Sequence, residues 1–408
     1  MVDLATVANI FLGVFTVDRI AEIAMFAFLV LTLNLEYGWA GIPNFGKAAF
    51  IAMGAVAAVL VLNYYVMPQA VHAAPPDVLQ SLRDMYGIED PLKVHVGDYE
   101  YAIVVNNIAV PWLEASLGHF LAYLALTIIV AAVLGAVFGF LLSYPVVKLR
   151  EDYLAIVLLM AGLLVWVMLT NVQSLIGGTF GITLTTKPLG YLAGGRIALG
   201  QALVLTVAAA LLLYYSEKLM NSPFGRMVRA ARDDEAAAEA MGKDVAATRL
   251  KVIVLASLLS AVGGALYVVV YFGSIGPDQF RPDLTFLLIA MMLLGGAGNN
   301  WGAVLGAAVF DLVYQISIGA APLILGAVVS NTTIVNSLAG YVGYMIIGLA
   351  ILLVIFFRPK GLLPEKPVKT PAWEVFVEEA GYRPEFLQPL TVRLRRLLAR
   401  GRGGSSGE

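Results

Sequence analysis

The sequence predicts an all-α, polytopic bundle of eight to ten transmembrane helices, on three observations. Of its 408 residues 60% are apolar and only 13% charged, against roughly 45–50% and about 25% in a soluble domain. The mean hydropathy is +0.84. The apolar residues form continuous rather than alternating runs, many near the ~20 residues with which a helix crosses a ~30 Å hydrocarbon core. Only helices and closed barrels satisfy their backbone in lipid, so continuous runs select helices.

In chain order the expected spans are 20–35, 48–66, 119–143, 152–171, 199–215, 252–272 and 337–357. The apolar stretch 284–319 is interrupted at "LGGAGNNWG". At ~1.5 Å per residue it is too long for one crossing, so it is expected to break or double back. Lysine and arginine set the orientation. Segment 67–118 carries two basic and seven acidic residues and is expected to be an extracytoplasmic loop. Segment 217–251 carries seven basic residues and the tail 358–408 ten, which puts both in the cytoplasm. Lys148 and Arg150 mark another inner turn. These sides require three crossings after residue 283, with "GGAGNNWG" as a turn. The domain reading is therefore a transmembrane domain, 1–357, followed by a cytoplasmic basic tail, 358–408, in the cell (inner or plasma) membrane.

The ends are less constrained. Residues 2–15 read as an interfacial helix or an extra span, and no basic leader with a cleavage site precedes them, so the N-terminus is expected to be retained. In "PLTVRLRRLLARGRGG" Leu390, Leu394, Leu397 and Leu398 recur at helical spacing among arginines. That pattern suits a helix on anionic membrane lipid, or equally a disordered basic tail.

Composition excludes several chemistries. There is no cysteine, so no disulfide, thiolate metal site or cysteine nucleophile is expected. His72, His95 and His119 are too scattered for a metal cluster and read as solvated loop residues. No catalytic set stands out, and no basic face calls for nucleic acid. "GIPNFGKA", residues 41–48, matches the first seven positions of G-x-x-x-x-G-K-[ST]. A phosphate-binding loop needs a buried strand before the glycines and a hydroxyl for Mg²⁺ after the lysine. Ala48 has no ligand atom, and the run before it reads as a membrane span. No nucleotide site is expected there.

The same stretch reads better as a break between membrane helices, tolerated only where it is buried in protein or lines a cavity. Gly38, Gly41 and Gly46 allow close backbone approach, while Asn34, Glu36, Asn44 and Lys47 supply polar groups. Ionisable residues among apolar spans often mark a pathway; the alternative is a Glu36–Lys47 pair that only fixes the turn. Asn299 and Asn300 sit in the second break, and the two together suggest the internal repeat of many transporters. Asp311 either lines the pathway or makes one structural hydrogen bond.

The segment "NSPFGRMVRAARDDEAAAEAMGKDVAATRLK", 221–251, is the most informative. Ser222 is a good N-cap with Pro223 at the first helical position, and Gly242 is placed to end a helix. Its alanines leave a smooth surface that another protein can approach. On charge pattern alone it would pass for a solvated connector.

This segment resembles the cytoplasmic coupling loop of ABC importer permeases. Its surroundings are similar to the branched-chain amino acid (LivM-type) permeases, through "LNLEYGWAGIPNFGKAAFIAMGA", "DYLAIV", "SLIGGTFGI", "SPFGRMVRAARDDEAAAEAMGKDVAATRLKVIVLASLLSAVGGALY" and "LLGGAGNNWGAVLGAAV". The resemblance covers about 33–310 in the family's order. It implies a non-enzymatic transport subunit whose coupling loop, Arg232, Asp234, Glu235, Ala236, Ala237, Glu239 and Gly242, meets separate ABC ATPase subunits. ATP and Mg²⁺ would sit on those subunits and no cofactor on this chain. A second permease subunit in a heterodimer and an extracytoplasmic solute-binding protein are the other implied partners. Asn34, Glu36, Gly41, Asn44, Gly46, Lys47, Gly177, Gly178, Asn299, Asn300 and Asp311 are the candidate translocation pathway.

Two departures concern the cargo. Lys47 stands where the family usually has histidine, and the run after "DYLAIV" lacks the usual glutamate. The general coupling pattern E-A-A-x-x-x-G would put glutamate at Ala236, whereas it stands one earlier, at Glu235, a shift the LivM-type loops share. The expected cargo is a branched-chain or related amino acid. The alternatives are a permease for urea or short amides, or an ion-gradient-driven secondary transporter.

Overall fold

The computed structural model describes residues 16–326 apart from 146, 148 and 150, then isolated positions from 335 onward and the run 360–365. The described residues belong to one compact unit. Among the described residues seven helices are long and apolar enough to cross a membrane. These are α1 (Val17–Trp39), α2 (Lys47–Ala73), α5 (Leu117–Ser143), α6 (Asp152–Asn171), α7 (Ile197–Asn221), α10 (Val245–Phe272) and the first part of α12 (Asn300–Gly326). Between them lie α3 (Pro76–Tyr86), α4 (99–115), α8 (Pro223–Asp233), α9 (Glu235–Ala240) and the apolar α11 (Pro282–Gly295). The bundle is an integral membrane protein. The expected tail helix, residues 2–15, Lys148, Arg150 and most of the span 337–357 lie outside the described residues.

Helices α1, α2 and α10 form the core, and small residues let them meet. At Gly54 a Cβ would collide with the backbone of Ala261 and Ala265, and at Gly264 with the carbonyl of Ile51. Gly135 and Gly139 of α5 lie against Ala261 and Ser257 in the same way. Ala57, Ala131, Ala261 and Ala265 fill the space where α2, α5 and α10 converge. Close backbone approach is how helices pack in a solvent as apolar as their own side chains. Outside this core α5, α6 and α7 present exposed Ile129, Val133, Ile156, Leu164, Val207 and Leu211, the surface a lipid contact requires.

Three core helices contain π-helical turns: α1 ends in one (Asn34–Trp39), α10 ends in one (Tyr267–Phe272), and α2 carries one at Leu62–Val66. Such turns recur at functional sites. Helix α2 continues to Ala73, seven residues past its expected end. The expected outer loop 67–118 is mostly helical. Prolines start its turns: Pro76 opens α3, which Gly87 closes at φ 69°, a left-handed conformation that suits glycine. A two-residue antiparallel ladder, Ile182 with Ile275 and Thr183 with Ser274, ties the α6–α7 connection to the α10–α11 connection at this end.

The helix ends can be followed through α12. The turns α1–α2 and α11–α12 and the segment 222–244 gather at one end, joined by hydrogen bonds from the Gly298 amide to Asn34 and from Arg232 to the Gly38 carbonyl. At the other end Gln201, near the start of α7, donates to the carbonyl of Val270 at 2.7 Å. At ~1.5 Å per residue the 14-residue α11 spans about 21 Å, short of a full crossing.

Candidate functional site

The two glycine-rich breaks, far apart in sequence, meet in space. Asn34 Nδ2 donates to Asn300 Oδ1 at 3.0 Å, and Asn34 Oδ1 accepts from the Gly298 amide at 3.0 Å. Trp39 Nε1 donates to the same Asn300 oxygen at 2.9 Å. Gly38 has no room for a Cβ between Asn34 and the Gly298 backbone. Asn299 Oδ1 accepts from the amides of Trp301 and Gly302, at 3.1 and 3.2 Å, as an N-cap does at the start of α12. Its Nδ2 donates to the Pro364 carbonyl at 3.2 Å.

Beside this joint Glu36 and Lys47 form an ion pair at 2.8 Å, both side chains wholly buried. Lys47 Nζ also donates to the Thr32 carbonyl at 3.2 Å, and Asn44 Nδ2 to Glu36 Oε2 at 3.1 Å. Asn44 Oδ1 in turn accepts from the Gly46 amide at 3.1 Å. A buried charge pair is sustained only when its remaining polar atoms find partners, and the turn between α1 and α2 supplies most of them. Neither residue lines a described cavity. Gly46 packs on the Leu158 carbonyl, with no space for a side chain.

Segment 222–244 holds two helices, not one. Ser222 caps α8, with its Oγ accepting from the Gly225 amide at 3.4 Å. The chain then breaks at Asp234, whose Oδ1 accepts from the Ala237 amide at 2.9 Å and starts α9. Aspartate three before a helical amide was the signal in the sequence for this second start. Only Ala238 of α9 is buried, against Ala231 and Val245. Asp234, Glu235, Ala236, Ala237, Glu239 and Gly242 are all exposed. Gly242, φ 76°, closes the turn with open space around it. Glu235 pairs with Arg249 at 3.0 Å.

Arg232, at the end of α8, connects this segment to the joint. Its Nη1 donates to the Gly38 carbonyl at 2.8 Å, and its guanidinium meets Glu365 at 3.0 Å. Burial opposes the charge, but Glu365 and Asp233 outweigh that and hold its pKa above the ordinary arginine value. Gly41, φ 67°, leaves no room for a Cβ beside the Arg232 side chain. It lines a cavity of about 480 Å³ with Tyr37, Pro43, Phe45 and Asp152.

The remaining candidates lie elsewhere. Gly177 and Gly178, φ 84° and 58°, shape the connection after α6 at the opposite end and touch neither break. Asp311 lies on α12, 3% exposed, in the wall of a cavity with Glu22 and Tyr271. Sequence reasoning passed over Arg19, Glu22 and Gln201 there, and Trp39, Thr285 and Glu365 at the joint. Arg19 and Glu22, charges three apart in the first turns of an apolar helix, were the legible signal.

The model of the family described as branched-chain amino acid transport system / permease component matches residues 15–355. The chain is 33% identical over 352 residues to the probable branched-chain amino acid transport permease protein LivM of Methanocaldococcus jannaschii, covering 84% of this chain and 91% of that one. It is 27% identical over 259 residues to the high-affinity branched-chain amino acid transport system permease protein LivM of Escherichia coli, covering 58% of this chain and 56% of that one. No solved structure matches. With the family match extending from the start of α1 through the second glycine-rich break, the chain belongs to the family of branched-chain amino acid transport system permease components.

Proposed function

We propose that this chain is the membrane-spanning subunit of an ATP-driven importer of branched-chain or related amino acids, and that α9 is where separate ATPase subunits dock. The observation that carries this reading is the form of 222–244: a six-residue helix that buries only Ala238 and leaves its other residues exposed, directly after an arginine bonded to the end of α1. A mere connector needs neither. The end that holds this segment is then cytoplasmic, and the 67–118 segment faces the opposite side. ATP and Mg²⁺ belong to the ATPase subunits. A second permease subunit and an extracytoplasmic solute-binding protein complete the assembly, as the relatives' description as components of a transport system supports.

Closure of the ATPase subunits pushes α9, and Arg232 carries the displacement to Gly38. Asn34 and Asn300 couple the α1–α2 turn to the α11–α12 turn, so both pairs of helices rock together. The ATPase contacts need only favour one packing of the bundle over the other. Asn34, Glu36, Asn44, Lys47, Asn299 and Asn300 belong to this coupling joint, and Asp311 to the pathway.

The test is gentle detergent purification of the tagged chain from its native host, with identification of what accompanies it. An ATPase subunit that is lost on Glu235→Lys or Gly242→Trp establishes the importer and its docking helix. Purification of the chain alone, under conditions that keep other ABC complexes intact, turns the reading to gradient-driven transport.

A further inference from the structure

Two adjoining cavities at the end opposite the docking segment share Glu22, Tyr271 and Phe272 in their walls. The inner one, about 220 Å³, is bounded by Phe26, Leu287, Met291 and Phe310, with Asp311 and Glu22 among them. The outer one, about 360 Å³, is bounded by Asp18, Arg19 and Gln201. Together they offer the kind of space that holds a small molecule, concave and mostly apolar with a few placed polar groups.

The polar groups are incompletely used. Asp311 is 3% exposed, yet its buried Oδ2 has no hydrogen-bond partner. Arg19 bonds to Glu22 through Nη1, while its buried Nε has none. Buried polar atoms are almost always paired, so an unpaired acceptor and an unpaired donor in neighbouring walls call for an explanation. Gln315 bonds the Asp311 carboxylate, but an oxygen left over suits an ammonium group, and a guanidinium with a spare N–H suits a carboxylate. Between them, Phe26, Leu287 and Met291 offer an apolar surface.

We propose that the space between Arg19, Glu22 and Asp311 is a binding site for a zwitterionic α-amino acid with an apolar side chain, its ammonium at Asp311 and Glu22 and its carboxylate at Arg19. The proposal rests on the importer reading and adds the place and polarity of the site. It disfavours uncharged cargo such as urea, which would leave the Asp311 carboxylate without a cation.

Two assays on the intact complex separate the proposal from that reading. ATP-driven uptake of labelled leucine into reconstituted vesicles, with the solute-binding protein present, tests the reading. Equilibrium binding of labelled leucine to the complex alone, without that protein, tests the site. The wild-type complex is expected to bind leucine and to resist displacement by tenfold excesses of 3-methylbutylamine, which lacks the carboxylate, and of 4-methylpentanoate, which lacks the amine. Asp311→Asn is expected to weaken leucine binding at least tenfold and to reduce the preference for leucine over 4-methylpentanoate. Arg19→Gln is expected to reduce the preference over 3-methylbutylamine instead. A loss of packing would not divide the two analogues in this way. Import by the wild type, with no leucine binding to the complex alone, with either analogue displacing leucine as well as leucine itself, or with unchanged binding in both variants, overturns the site and leaves the importer standing. A wild-type complex that neither imports nor binds leucine overturns both.

Discussion

Asn34 and Asn300, 266 positions apart in the chain, are joined by a hydrogen bond of 3.0 Å in which the Asn34 amide donates and the Asn300 carbonyl oxygen accepts. The bond closes one turn of the bundle onto another. Because Asn34 also accepts from Gly298, removing it leaves the buried Gly298 amide without a partner and Asn300 Oδ1 with Trp39 alone.

Asn34→Ala should therefore destabilise the fold by about 1–3 kcal/mol, the cost of a buried polar group left without a partner. Asn300→Ala should cost a similar amount, since Trp39 Nε1 loses its acceptor as well. The double variant should fall short of the sum, with a coupling of about 0.5–3 kcal/mol for residues in one network. Equilibrium unfolding of the detergent-solubilised variants measures this. Additive costs would mean that the two turns are held together by something other than this bond.

At the ion pair, each single change should be worse than both together. Lys47→Met leaves the Glu36 carboxylate buried without its cation, which costs about 3–5 kcal/mol, whereas replacing both members of a buried pair with packed neutral groups is often close to neutral. Lys47→Met should therefore express poorly and melt early, and Glu36→Gln/Lys47→Met should recover most of the loss. If the double variant is as poor as the single one, the pair does more than hold the turn.

Six of the expected spans, from 20–35 to 252–272, were legible because they follow from apolar runs. What joins them was not. Nothing in the sequence pairs Asn34 with Asn300 or Arg232 with Gly38, since such contacts depend on where the helices cross. The charge of 67–118 reads as loop, and its first helix of its own, α3, is only 11 residues long, so it offers few repeats of a periodic signal. The division of the docking segment at Asp234 was written in the chain as an N-cap, but the alanines on both sides suggested one continuous helix. Glu22 lies inside the expected span 20–35, where its charge is visible but the cavity that it lines is not.

Helix packing makes a further prediction. Gly264 lies against the Ile51 carbonyl and Gly54 against the backbone of α10, with no space for a methyl group at either. Gly264→Ala should separate α2 from α10 at a cost of about 1–3 kcal/mol, the usual range for overpacking. Gly348, with nothing near its Cβ position, provides the control and should accept alanine without change. Thermal melting of the two variants in the same detergent decides it.

Arg232 is the residue that distinguishes docking from transmission. It is not on the exposed face of α9, so its loss should leave the ATPase contact in place; it reaches Gly38 and Glu365 through separate guanidinium nitrogens, so its loss should detach the joint from the docking helix. Lysine carries the charge but not the fork that spans two acceptors. Arg232→Lys and Arg232→Ala should both copurify with the ATPase subunits at the wild-type ratio while leucine uptake falls on the order of tenfold, about 1.4 kcal/mol of lost coupling. ATP hydrolysis should continue in both. Gly242→Trp, by contrast, should lose the ATPase subunits altogether, because a bulky side chain would be forced into a left-handed conformation on the docking surface. Uptake that survives Arg232→Ala unchanged would move the transmission path away from Gly38, and loss of the ATPase subunits in that variant would make Arg232 part of the docking surface itself.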